Sequence, residues 1–264
     1  MLPRLMRVMH AKGTGIWAAL KWVVSSREDT NFTYELAPEN LAELTAFVAK
    51  ACGCPDEVAR GYIDEAREDA NLAKHIVATV KGTSLRYVAD PRADFGRRLA
   101  WYALIRVMEP RLVVETGVDK GLGSVLICAA LERNSASGHP GRYVGIDIEP
   151  GAGELLRGRY ADFGEVICDD AITALLRLDG KIDLLISDCD HAEEYEEREF
   201  ECVLSRLVNK GMIISDNAHA TDTLKRFAGR NNLQFGFFRE RPLGHWYGGA
   251  GLGIAVQREA EGEQ

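Results

Sequence analysis

The stretch Leu112-Val113-Val114-Glu115-Thr116-Gly117-Val118-Asp119-Lys120-Gly121-Leu122-Gly123-Ser124 reads as a short β-branched strand that ends in an acid and a glycine-rich turn. A helix-like run, Val125-Leu126-Ile127-Cys128-Ala129-Ala130-Leu131, follows directly, so the turn joins a buried strand to a helix start. Glycines there let the backbone take positive φ and approach a ligand closely, and the first N–H groups of the helix have no intrahelical partner. Taken alone, the turn suits close helix packing as well as a ligand cradle. The segments downstream decide between them.

Four further apolar runs repeat the pattern. Arg142-Tyr143-Val144-Gly145-Ile146-Asp147 carries its acid at the end, about thirty residues after the first run, the length of a βαβ unit. Val166-Ile167-Cys168 leads to Asp169-Asp170, Ile182 to Ser187 leads to Asp188, and Gly211 to Ser215 leads to Asp216-Asn217. In a parallel sheet all these ends share one edge, where open α/β folds bind ligands. Helix capping explains some of the acids, but five in succession point to a shared site. Leu233 to Arg239 and Gly251 to Gln257 are also strand-like, and the loop between them is too short for a helical crossover, so they run antiparallel as neighbours. The expected fold is α/β and Rossmann-like: a seven-stranded sheet of five parallel strands plus a C-terminal antiparallel hairpin.

Outside the sheet the reading is helical. Leu41, Leu44, Phe47 and Val48 are spaced by three and four, Pro55 starts a second helix with Val58, Tyr62 and Ile63 inward, and Leu72 to Val80 suits a third. These helices read as a cap mostly apart from the sheet, joined to it near Val88-Ala89-Asp90-Pro91, where the proline disfavours helix in the residue before it. Arg97 to Met108 reads as an amphipathic helix. The expected organisation is a helical cap over residues 1–93, a sheet domain over 94–257 and an acidic tail over 258–264.

The 264 residues carry a net charge of −8, which argues against nucleic acid held on a broad basic face. The first 27 residues nevertheless contain Arg4, Arg7, Lys12, Lys21 and Arg27 and no acid, among many apolar positions. Lys21 interrupts the apolar run and no small-residue cleavage site follows, so a helix packed on the main domain or a partner subunit is favoured over a signal peptide. Peripheral membrane contact and a homo-oligomer are the alternatives this segment leaves open. Six cysteines without disulfide-framework spacing imply a reducing, cytoplasmic setting, with Cys128 and Cys168 read as core.

Over about residues 95–257 the chain resembles the class I S-adenosylmethionine (SAM)-dependent methyltransferases, whose sheet ends in such a hairpin. The resemblance implies that Glu115, Gly117 and Gly121 form the turn around the methionine part of SAM, with Ser124 beside it. Gly123 stands where many relatives have serine. It implies that Asp147 holds the ribose hydroxyls, and that Asp170-Ala171, with Asp169 as neighbour, faces the adenine amine. Carboxylates accept hydrogen bonds from a diol and an amine, which fits these roles.

Within that family, Asp188-Cys189-Asp190-His191 and Asp216-Asn217 resemble the site of the divalent-metal-dependent O-methyltransferases acting on macrolide sugars, catechols and caffeoyl-CoA. The resemblance implies Mg²⁺ on Asp188, Asp216 and Asn217, since hard oxygen ligands select that ion, and His191 as the base. The expected reaction is transfer of a methyl group from SAM to a hydroxyl of a small molecule, such as a sugar or glycosylated natural product. The alternatives are a metal-independent methyltransferase using His191 or His219, and a SAM-binding module without turnover. His245, with Trp246 and Tyr247, reads as an acceptor cover or as packing. The acids Glu193, Glu194, Glu196, Glu197, Glu199 and Glu201 read as the solvated face of a helix.

Overall fold

The computed structural model describes residues 16–28, 33–189 and 192–257; Asp190, His191, residues 1–15 and the acidic tail lie outside the described residues. Leu112–Thr116 (β1), Arg142–Asp147 (β2), Gly164–Cys168 (β3), Ile182–Ser187 (β4), Leu207–Ser215 (β5), Leu233–Arg239 (β6) and Gly251–Gln257 (β7) form one sheet in the order β3-β2-β1-β4-β5-β7-β6. Strands β1 to β5 are parallel, and β7 inserts antiparallel between β5 and β6. The five parallel strands and the C-terminal hairpin are therefore as the sequence indicates. The strand order reverses beside β1, so the glycine turn opens at the switch point of the sheet.

Successive residues of each central strand face opposite layers. Val113, Leu184, Ile186, Met212 and Ile214 face one core, and Val114, Leu185 and Ile213 face the other. The second layer is covered by Ala171–Arg177 (α7), Glu193–Leu204 (α8) and Thr223–Arg230 (α9), and the first by Leu122–Ala136 (α6) together with the N-terminal helices. These are Pro38–Cys52 (α2), Asp56–Glu68 (α3), Ala70–Gly82 (α4) and Leu99–Met108 (α5), while Ile16–Ser25 (α1) packs in a separate cluster.

The cap is not apart from the sheet. Leu44 and Val48 of α2, Ile63 of α3 and Leu72 and Ile76 of α4 belong to the same apolar core as Val113 and Ile186. Helix α5 is correspondingly not amphipathic: Leu99 to Ile105 are all buried, because α3 covers its far side while α6 covers the near one. The two arginines before it lie in a separate 3₁₀ turn, Gly96–Arg98. Cys128 is core, but Cys168 is exposed, since β3 is an edge strand paired only with β2 and its residues are only partly covered.

The segment entering α2 is stitched to the β6–β7 loop. Leu36 bridges Pro242, the Asn40 amide donates to the Arg239 carbonyl at 2.9 Å, and the Asn40 side-chain oxygen accepts from Arg241 N at 2.6 Å. Helix α1 packs Ala19, Trp22 and Val23 onto the Trp246 ring of that loop, with the Trp22 and Trp246 centroids 4.8 Å apart. Its other face exposes Trp17, Leu20 and Val24. No helix among the described residues is long and apolar enough to cross a membrane. Replacing Trp22 by alanine should cost about 3 kcal/mol in urea unfolding, the low end for a buried tryptophan; an unchanged midpoint would show that α1 does not brace the loop.

Candidate functional site

The five strand-end acids do converge on one crevice, and buried polar contacts hold the edge in place. Ser187 and Ser215, which precede Asp188 and Asp216, are fully buried and must find partners. Helix α8 supplies them: Ser187 Oγ donates to Glu199 at 2.7 Å, and Ser215 Oγ donates to Glu196. Cys189 Sγ also donates to Glu199, at 3.1 Å. Glu196 and Glu199 are thus buried anchors rather than part of a solvated face, spaced by three on the side of α8 that also buries Phe200 and Val203. Burial raises the Glu199 carboxyl above its usual range, against the hydrogen bonds it accepts. The serine-acid ending of both strands was the available signal.

In the glycine turn, Gly117 has φ +84°, and a β-carbon there would strike the Asp188 backbone, so glycine lets β1 and β4 end side by side. Gly121, also at positive φ, abuts the Gly153 backbone and lies outside the cavity lining. At Gly123 a side chain would run into Glu115 and the Trp101 ring, which is why serine is absent there. Ser124 lies behind the cavity, donating to Glu115 Oε2 at 2.9 Å, and Tyr143 donates to the same oxygen. Glu115 itself faces the cavity. Its burial raises the carboxyl pKa to about 7, opposed by those two hydrogen bonds.

Asp147 ties the turn down, accepting from Val118 N at 2.8 Å and Asp119 N at 2.9 Å through one oxygen and from Glu149 N at 2.9 Å through the other. Asp170 caps α7 through Thr173 N at 2.9 Å, and its second oxygen accepts from Tyr195 at 2.7 Å. Asp169 pairs with Arg177 at 2.8 Å. Both acids and Ala171 line the same cavity as Glu115, Gly117 and Asp147. Ile148, which the motif reading passed over, is exposed within it despite being apolar. The cavity measures about 890 Å³, near the top of the range for small-molecule sites.

The cavity is also lined by Arg97, which lies in the 3₁₀ turn before α5 and not on a face of that helix. Its Nε donates to Asp216 at 2.6 Å and a terminal nitrogen donates to the second Asp216 oxygen, while the other terminal nitrogen reaches Glu240 at 2.9 Å and Tyr34 at 3.0 Å. Tyr34 and Tyr247 both donate to Glu240, at 2.6 and 3.1 Å. Gly96 makes this delivery possible: at φ +53° it lies beneath the Tyr34 ring, where a β-carbon would clash. Arg98 follows, 3.9 Å from Asp188 and over the Trp101 ring. Burial raises Asp188 well above the carboxylate range, with Asp216 adding to it; for Asp216 burial acts upward too, but Arg97 prevails and holds it at about 2.

Asp188, Asp216 and Asn217 are adjacent in the cavity, yet the arrangement does not fit Mg²⁺. Both Asp216 oxygens face a guanidinium, which leaves neither free for a cation. Among the described residues no group of three His, Cys, Asp or Glu could hold a metal.

His191 lies outside the described residues. His219 lines the cavity half-buried, and burial, then Arg97, lowers its pKa, so the ring is neutral at pH 7. His245 lies outside the lining and packs against Trp22, Tyr34 and Trp246.

Residues 114–218 match a family described as a methyltransferase domain. No curated protein sequence matches the chain. Among solved structures, the O-methyltransferase TomG from Streptomyces achromogenes, involved in tomaymycin synthesis and bound to SAM, is 19% identical over 72% of this chain and 91% of its own, with a TM-score of 0.52. A methyltransferase from Geobacter sulfurreducens is 18% identical, over 72% and 91%, with a TM-score of 0.52. The O-methyltransferase from Bacillus cereus, in complex with S-adenosylhomocysteine (SAH), is 16% identical, over 83% and 99%, with a TM-score of 0.50. These likenesses are of fold.

Glu115 gives the site a pH signature. Its folded pKa of about 7 exceeds the usual 4.5, so the folded state binds this proton more tightly than the unfolded chain does. The associated stability is fully present below pH 4.5 and is lost as pH rises through about 7, by at most about 3 kcal/mol. Glu115→Gln, unfolded in urea at pH 5 and pH 8 without ligand, should show a smaller drop than the wild type; an equal drop would place the proton elsewhere.

Proposed function

We propose that this chain, whose residues 114–218 match a methyltransferase domain, is a class I SAM-dependent methyltransferase that transfers a methyl group from SAM to a hydroxyl of a small molecule. The observation that carries this reading is one cavity lined both by the glycine turn and the strand-end acids and by Tyr34, Arg97, His219 and Tyr247. The first part suits SAM. Asp147 retains acceptor capacity for a diol, Asp169 stands by as acceptor for an amine, and Ile148 and Ala171 offer apolar surface to a flat base. When bound, SAM supplies an electrophilic methyl on a positively charged sulfur, and the acceptor oxygen takes that carbon as the C–S bond opens, leaving neutral SAH.

The chain's own work is then to orient the hydroxyl and take its proton. Tyr34, Tyr247 and Arg97 line the acceptor end with hydrogen-bonding groups, which supports a sugar or another hydroxylated ring as substrate. His219 is the histidine that the described residues place in the cavity, and its neutral ring can accept the proton at Nδ1 or Nε2. His191 remains the second candidate base. Of the two forms of the reaction weighed from the sequence, the metal-assisted one needs Asp216 turned toward a cation. The hold of Arg97 on both its oxygens favours the form that relies on a histidine base.

Calorimetric titration with SAH tests the cofactor half: one site per chain is expected, with Asp147→Ala weakening it at least tenfold, and no binding by the wild type would overturn the reading. SAH release in the presence of pooled sugars, glycosides and catechols tests turnover. His219→Ala should slow it by about 10²–10⁴, the usual contribution of a positioned base, while SAH affinity stays within about twofold. Normal turnover by that variant would transfer the role to His191, and SAH binding with no turnover on any acceptor would favour a binding module.

A further inference from the structure

We propose that Arg97 is a built-in cation that takes the place of a divalent ion at the ends of β4 and β5, so that the carboxylate pair Asp188 and Asp216 becomes a metal site only when Arg97 is removed. The proposal rests on the methyltransferase reading for its functional meaning, but its geometry stands independently. Two acids and an amide side by side at adjacent strand ends would ordinarily hold a hard cation among their oxygens. Here each acid has its own guanidinium from two consecutive residues: Arg97 on both oxygens of Asp216, and Arg98 at 3.9 Å from Asp188.

Arg97 is fixed from several sides. Glu240 from the β6–β7 loop and Tyr34 from the segment before α2 take its other terminal nitrogen, and Gly96 sets its backbone under the Tyr34 ring. The side chain is about nine-tenths buried, and Glu240 is wholly buried. A guanidinium stays charged across the accessible pH range and matches a carboxylate through two parallel N–H donors. The positive charge is therefore permanent and independent of ion supply. The Asn217 amide nitrogen, buried in the cavity wall without a partner, is left as a donor for an acceptor oxygen.

Arg97 is accordingly a positioning residue: it fixes Asp216 and the loops that form the acceptor chamber. The test is Mn²⁺ binding, followed by electron paramagnetic resonance and calorimetry on the full chain. The wild type should show no site tighter than about 1 mM. Arg97→Ala should gain one Mn²⁺ per chain, at least tenfold tighter, and Asp188→Asn added to it should abolish the gain. Arg97→Lys, which keeps the charge, should gain nothing. A wild-type Mn²⁺ site that Asp188→Asn removes would overturn the proposal, as would an Arg97→Ala protein that still binds SAH yet acquires no ion. If Arg97→Ala does not fold, Arg97→Gln and the wild-type comparison decide by the same readings. SAH binding by the wild type is measured in the same preparations, so failure of the methyltransferase reading is told apart from failure of this one.

Discussion

The ion pair between Arg97 and Asp216 is the constraint on which the site depends. It is buried, it is bidentate, and it continues through Glu240 to two tyrosines. Such a network adds little to stability when compared with a well-packed apolar core, but loss of one member leaves the others charged and dry, at a cost of about 3–5 kcal/mol. That asymmetry ties together parts of the chain far apart in sequence. Residue 34 lies between α1 and α2, residue 97 in the 3₁₀ turn before α5, residue 216 just after β5 and residue 240 just after β6. None can shift alone.

The same economy operates one layer deeper. Each of the two central strands ends in a serine followed by an acid, and α8 turns Glu199 and Glu196 inward to receive those serines. The glutamates face away from solvent because the strand ends need acceptors, while the apolar residues beside them, Phe200 and Val203, fill the second core. Packing and polar satisfaction therefore choose the same helix face. The acids at the crevice are held on a scaffold whose own polar groups are already paired.

The N-terminal region forms part of this site instead of covering it from outside. Its helices share a core with the sheet, its Tyr34 lines the cavity, and α1 braces the aromatic loop that carries Tyr247. The end of the cavity around Arg97 is completed by Tyr34 of the added segment. Tyr34, Arg97 and Tyr247 at that end of the cavity lie outside the matched residues 114–218.

Much of the fold was legible in the sequence because it depends on local periodicity. Short apolar runs ending in acids, a glycine turn before a helix, and a loop too short for a crossover determine strands, handedness and the antiparallel hairpin without knowledge of distant contacts. The lining of the crevice was legible for the same reason: Glu115, Gly117, Asp147 and Asp169-Asp170 are placed there by their position in the strand-turn-helix pattern. What the tertiary structure alone decided are matters of pairing across distance. Arg97 looked like an ordinary helix residue, Glu196 and Glu199 like solvent-facing charges, and Tyr34 had no context at all. Each acquires its role only when folding removes water from around a charge or hydroxyl and leaves one partner within reach. Sequence spacing states which residues share an edge; burial decides which charges must neutralise one another.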